Sequence, residues 1–289
     1  MRALALALAI AVSASALSTA QPAGLLVAVD LGTQLEPIAR FDGSTWVAVP
    51  SSGFGRSIPL AWTRVYAPGP SVAIRLGATE PFGRCERPRR LPVASPPAVP
   101  RGAFDPLYVG VAVSSAIPHD SLRRVAERSS EWTAVSAAIS PLFERRAERQ
   151  GVASSALARV PMTVDWLVAA ASSAAPPTFY FEASKRIPDA GGTPSEDPKG
   201  VVRISVTGWL RTLNDRIVPA GTKSELSWEP DDRSSLSSSP GLLPLGVLRQ
   251  GDEGVWVMKS RIGTRDTFTL YSVRGSIARA LLTVDAAVC

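Results

Sequence analysis

The feature that most constrains this chain is a two-residue alternation. Val202, Ile204 and Val206 alternate with Arg203, Ser205 and Thr207. A side chain that must face a core at every second position belongs to a β-strand, because successive Cβ atoms point to opposite faces. The pattern recurs on both sides of that segment. Leu25 to Leu31, Leu35 to Phe41, Trp46 to Val49, Val72 to Leu76 and Leu107 to Ser114 read as strands before it. Thr178 to Ile187, Lys223 to Trp228, Leu242 to Arg249, Val255 to Arg261, Thr267 to Val273 and Arg279 to Val284 complete the series.

Turn chemistry supports the strand reading. Asp42-Gly43-Ser44-Thr45 lies between apolar runs, and Asp-Gly tolerates the positive φ that a tight hairpin needs. Gly251-Asp252-Glu253-Gly254 joins two further strands in the same way. The stretch Asp42-Gly43-Ser44-Thr45-Trp46 resembles the turn of Asp-box hairpins in β-propellers. It lacks the residue between Asp and Gly, and Arg40 stands where that family has Ser. It also occurs once where a propeller would repeat it, so it reads as one ordinary hairpin. Short strands punctuated in this way predict a mainly β fold: an antiparallel sandwich, barrel or propeller-like sheet.

One region breaks the rule. Asp120 resembles a helix N-cap, followed by Leu122, Val125 and Ala126 at helical spacing. Trp132, Val135 and Ile139 continue the period, Ser140-Pro141 gives a second start signal, and Gly151 is a stop. This predicts one helical insertion around residues 120–150. Polar stretches from Pro188 to Pro198 and from Pro230 to Gly241 read as loops.

The chain opens with Met1-Arg2, an unbroken apolar run from Ala3 to Val12, and small residues ending in Ser18-Thr19-Ala20. This is the layout of a secretory signal peptide over residues 1–20, cut between Ala20 and Gln21. Ten apolar residues are too few to span a bilayer, which takes about 20, and Arg279 and Asp285 interrupt the best later candidate. The expectation is an exported protein, periplasmic or extracellular, without a transmembrane anchor. Residues 21–85 then form an N-terminal β segment. Residues 86–106, with Pro88, Pro92, Pro96, Pro97, Pro100 and Pro106, read as an extended Pro/Arg-rich connector and not as sheet. Residues 107–289 form a β-rich segment that packs with 21–85 as one large domain.

Export gives the two cysteines a meaning. Cys85 and Cys289 are an even pair in an oxidising compartment, which predicts a disulfide. Closing so much of the chain into one loop is worth about 5 kcal/mol as an upper figure in the chain-entropy account. The competing reading is a free C-terminal thiol that pairs between molecules.

Charge is a poorer guide. The chain carries 31 basic and 25 acidic residues, for a net charge of +6. Only Lys185, Lys199, Lys223 and Lys259 are lysine, and Asn214 is the one asparagine. That bias toward Arg, with abundant Ala, Pro and Val, is what GC-rich coding produces, so the high pI does not by itself imply a polyanionic partner.

The chemistry is defined mostly by what is missing. His119 is the one histidine, so no His-rich or Cys/His zinc site of the usual kind is expected, and a Ser-His relay would have to run through it. There is no G-x-S-x-G elbow, no G-x-G-x-x-G and no Walker loop, which leaves nucleotide chemistry unsupported. No cofactor is implied. Paired carboxylates remain as an enzymatic route, since two acids can cleave a glycosidic bond. Glu182 is the first residue to inspect, on the aromatic strand Phe179-Tyr180-Phe181-Glu182, with Asp165, Asp215 or Glu225 as the second acid. The plainer reading puts both phenylalanines in the core and Tyr180 and Glu182 in solvent, with Lys185 beside Glu182.

Two arginine clusters, Arg84-Arg87-Arg89-Arg90 and Arg145-Arg146-Arg149, could bind polyanions, or could be a polar linker and a solvated helix face. Three functional readings result. The first is a non-catalytic binding or structural protein whose partner is an envelope or extracellular ligand. The second is a carbohydrate-active hydrolase using paired carboxylates. The third is a polyanion-binding surface protein.

Overall fold

The computed structural model describes residues 24–49, 58–66, 71–77, 90–94, 109–172, 175–188, 200–230, 241–262 and 265–286. The expected signal peptide, most of the Pro/Arg-rich connector, both cysteines, and Arg84, Arg87 and Arg89 lie outside them.

The N-terminal strands are β1 (Leu26–Asp30), β2 (Gln34–Phe41), β3 (Trp46–Ala48), β4 (Ala61–Tyr66), β5 (Val72–Leu76), β6 (Leu91–Ala94) and β7 (Gly110–Val113). They pair antiparallel in the order β1-β7-β4-β5-β6-β2-β3, and β1 also pairs with β2, so six strands close into a ring with β3 attached to β2. Inward side chains such as Leu26, Ala28, Leu35, Trp62, Ile74 and Leu91 fill the ring. Among them lies a fully buried ion pair, Asp30 with Arg64. Arg64 Nη2 also donates to Asp30 Oδ1 at 3.0 Å and to the Gly32 carbonyl at 2.5 Å, and Gly32 N–H donates to Asp30 Oδ1 at 2.7 Å. Burial pushes the Asp30 carboxyl above its ordinary range, while the Arg64 guanidinium and the Gly32 N–H pull against that shift.

The expected connector is corrected here. Pro92 lies within β6, opposite Gln34 of β2, and β6 bridges β5 and β2. Proline fits because β6 is only four residues long, so one missing ladder donor costs little. Without that strand the ring would be open.

The C-terminal elements are β8 (His119–Arg124), helix α1 (Ser130–Arg149), the short α2 (Ser154–Ala158), β9 (Thr163–Ser172), β10 (Ala175–Pro188), β11 (Gly200–Leu213), β12 (Arg216–Pro230), β13 (Leu243–Gln250), β14 (Glu253–Ile262), β15 (Arg265–Arg274) and β16 (Ile277–Asp285). Their nine strands form one antiparallel sheet in the order β12-β11-β10-β9-β8-β13-β14-β15-β16. Two meanders therefore share β8 as a hinge. The β8–β13 junction is short, pairing Asp120 with Val247 and His119 with Leu248. A buried two-pronged ion pair reinforces it: Arg249 Nε donates to Asp120 Oδ1 at 2.7 Å and Nη2 lies 2.6 Å from Oδ2.

The sheet curls until its two ends meet. Gly221 of β12 has φ +113°, and a Cβ there would lie 2.6 Å from the Cβ of Ala278 on β16. Only glycine permits that approach. Arg211 Nη1 donates across the same seam to the Gly275 carbonyl at 3.3 Å. The result is barrel-like, within the expected fold class, but β12 and β16 meet by packing and not by a ladder. Among the described residues, the strands form no propeller blades.

Three further cores hold the molecule together. Val27, Val29, Val65 and Val111 on the outside of the ring pack against Leu245, Val257, Phe268 and Leu270 of the curled sheet. There β13 lies directly on β7, because Gly246 carries no Cβ to strike Val111 Cγ2, 2.5 Å from where one would be. Inside the curl, Tyr180, Trp209 and Trp256 form a second core, with Trp209 against Tyr180 at 5.4 Å and against Tyr271 at 4.7 Å between ring centroids. On the outside of β9–β11, the α1 stripe Val135, Ile139, Leu142, Phe143 and Ala147 covers Phe179, Phe181, Val202, Ile204 and Val206.

The helical insertion is present but shorter than expected. Residues 119–124 are strand β8, and the cap is Ser129, whose Oγ accepts from Trp132 N–H at 3.1 Å. Asp120 serves Arg249 instead. Ser140-Pro141 is not a second start: Pro141 sits inside a continuous 20-residue helix. Burial of the flanking Ile139, Leu142 and Phe143 offsets the roughly 3 kcal/mol that an interior proline costs.

Candidate functional site: a groove between the long helix and the sheet

The last two turns of α1, together with β11 and β12, line a groove of about 490 Å³. Leu142, Val206 and Pro219 supply its apolar wall, and Arg145, Glu148, Arg149, Thr222 and Ser224 supply its polar groups. The geometry follows from local sequence. Arg145, Glu148 and Arg149 lie three and four residues apart, on one helix flank beside the buried stripe. Thr222 and Ser224 alternate along β12, so both hydroxyls face the helix. Arg149 is fixed across the groove, since its Nε donates to the Arg145 carbonyl at 3.2 Å and its Nη2 to Ser224 Oγ at 3.5 Å.

Glu182 lies elsewhere. It is 8% exposed and faces the interior of the curl, not solvent, because the second meander covers that side of the sheet. Its Oε1 accepts from Tyr180 Oη at 2.6 Å and from Leu242 N–H at 3.0 Å, and its Oε2 accepts from Gly241 N–H at 3.1 Å. The carboxylate thus fixes the entry to β13 onto β10. Burial, and then the Glu182 charge, raise Tyr180 far above the ordinary phenol range, so its hydroxyl remains a donor. Lys185 is on the opposite face of β10, donating to the Leu157 carbonyl at 3.1 Å.

Among the described residues, the partners of Glu182 are Tyr180, Gly241 and Leu242, and Asp165 and Glu225 pair elsewhere. Asp165 accepts from Ser184 Oγ at 2.9 Å and lies 3.6 Å from Arg203. Glu225 pairs with Lys223 on the exposed part of β12. Asp215 forms the β11–β12 turn with Asn214, both at positive φ. His119 is half-buried on β8, its Nδ1 3.2 Å from the Ile117 carbonyl. Of the first arginine cluster, Arg90 is described, 3.6 Å from the buried Glu36. Arg145 and Arg149 of the second cluster line the groove.

Sequence reasoning found those arginines but missed their setting. Pro219, Thr222 and Ser224 carry no motif, and Val206 was legible only as core. Among the described residues, no cluster of three or more His, Cys, Asp or Glu side chains is placed to hold a metal, and no helix is long and apolar enough to cross a membrane. Compared with protein-family models, curated proteins and solved structures, the chain matches none.

Proposed function

We propose that this chain is a non-catalytic binding protein that works after export, in the periplasm or outside the cell, and that the groove beside α1 receives its ligand. The observation that carries this reading is the chemistry of the groove wall. Two guanidinium groups and two hydroxyls suit recognition of a ligand, and Glu148 is the one carboxylate among the lining residues, where paired-acid hydrolysis would need two. The first twenty residues, with their positive start and ten-residue apolar run, support export.

The hydrolase reading rests on Glu182, and its surroundings favour a structural role. A general acid or base needs an oxygen open to substrate, while both oxygens here accept bonds from the chain itself. The test is direct. Wild type and Glu182→Gln are incubated with a panel of glycans, and released reducing ends are measured. The binding reading expects no turnover by either protein, with Glu182→Gln less stable by about 1–3 kcal/mol from its weakened hydrogen bonds. Turnover by wild type that disappears in a folded Glu182→Gln would establish the hydrolase instead.

The polyanion reading has one observation in its favour, the clustering of Arg145, Arg146 and Arg149 at one helix end. Retention on heparin that falls steeply with salt would support it, because phosphate- or sulfate-type contacts release counterions.

A further inference from the structure

We propose that the groove's ligand is a monoanion on an apolar body: a carboxylate or sulfate group carried by a short hydrocarbon chain or ring. The inference rests on the binding reading above and names the ligand class of that same site.

Charge sets the first part. The wall holds two guanidinium groups, Arg145 and Arg149, against one carboxylate, Glu148, so its net charge is a single positive. A polyanion would bring further negative charges up against Glu148, whereas one oxyanion leaves the site neutral. Arg145 makes no side-chain hydrogen bond or ion pair among the described residues. Arg149 is held in place by the Arg145 carbonyl and Ser224 Oγ, which pre-positions its fork. A planar guanidinium matches a carboxylate or sulfate edge with two parallel donors, and the hydroxyls of Thr222 and Ser224 can each donate one more.

Shape and polarity set the second part. Leu142 and Val206 belong to the core between α1 and the sheet, and the groove opens onto that core's margin. With Pro219 they give the ligand an apolar surface to cover. A volume of about 490 Å³ lies within the roughly 300–1,000 Å³ typical of small-molecule sites and far exceeds what an oxyanion alone occupies. An ion with no apolar part would leave this wall wet, and a neutral hydrocarbon would leave the wall's one net positive charge uncompensated.

Titration calorimetry at low salt tests both halves. The probes are octanoate, its neutral counterpart octanol, its tail-less counterpart acetate, and octyl sulfate below its micelle concentration. The proteins are wild type, Arg145→Gln/Arg149→Gln, and Arg159→Gln, at the C-terminal cap of α2, as a control. Octanoate and octyl sulfate should bind wild type and the control saturably, and at least about tenfold more weakly to the double variant, a difference of about 1.4 kcal/mol. Octanol and acetate should each bind wild type at least about tenfold more weakly than octanoate.

Octanoate binding that ignores the double substitution, octanol binding as tightly as octanoate, or folded wild type that binds neither amphiphile would each overturn the assignment. Those outcomes leave the non-catalytic reading to its own glycan assay. Turnover lost with Glu182→Gln would remove that reading whatever octanoate does.

Discussion

Replacing Asp30 by leucine should be among the most damaging single changes in the ring. Asp30 and Arg64 are both fully buried, and the carboxylate meets one edge of the guanidinium through two contacts while also accepting the Gly32 N–H. Asp30→Leu leaves a guanidinium in the core without its counter-charge, and a permanent positive charge cannot escape by losing a proton. Breaking such a pair from one side costs about 3–5 kcal/mol. For a chain of this size that lowers Tm by about 10 °C. The double variant Asp30→Leu/Arg64→Met removes both charges and fills a similar volume, so it should recover at least half of the loss.

The assay is urea denaturation followed by tryptophan fluorescence, run across pH. Because burial raises the folded-state Asp30 value, the folded state holds that proton more tightly than the unfolded state. Asp30 therefore makes stability fall as pH rises from the ordinary carboxylate range through its raised value. Arg64→Met removes the opposing guanidinium, so its window extends higher and its stability deficit should be smallest at the acid end. A deficit below about 1 kcal/mol in Asp30→Leu, a double variant as unstable as the two single losses added, or an Arg64→Met deficit independent of pH would each refute this reasoning.

Three further outcomes are expected. Phe143→Ala, at a fully buried position between α1 and the sheet, should cost about 3–5 kcal/mol by denaturation, while Leu60→Ala, at a position 67% exposed, should stay within about 0.5 kcal/mol. Gly221→Val should lower Tm by several degrees, since its branched side chain must displace Ala278 and adopt a positive φ; unchanged stability would show that the seam does not hold the curl closed. Mass measurement of the chain produced in an oxidising compartment, alkylated before and after reduction, should show Cys85 and Cys289 protected until reduced, and two freely alkylated thiols would rule out the bridge.

Where the local pattern and the fold agreed, the reason is visible in single residues. Val202, Ile204 and Val206 face α1 because their alternation leaves them no other face. Asp42 turns its hairpin because its Oδ1 accepts the N–H groups of Ser44 and Thr45, each at 2.8 Å. Where they disagreed, a second periodicity was hidden. Asp120 and Leu122 are buried while Ser121 and Arg123 are exposed, a two-residue alternation that the spacing of Leu122 and Val125 obscured. Strand β9 was missed because Ala169, Ala170 and Ala171 give no strand preference. Asn214-Asp215 was a readable turn signal, at positive φ in both residues, that went unused.

The sequence alone determined the class of this protein: mainly β, antiparallel, with one helical insertion. Those properties follow from forces between near neighbours, namely pleat alternation, turn dihedrals and capping. The tertiary structure decided what surrounds each strand. Tyr180 and Glu182 alternate like a solvent face, yet the sheet curls and the second meander covers them, so a carboxylate that could have served catalysis anchors Gly241 and Leu242. The groove had to wait for folding too, since Arg145 and Arg149 meet Thr222 and Ser224 only after α1 docks on the sheet. Local periodicity fixes which way a side chain points, and only the packed chain fixes what it points at.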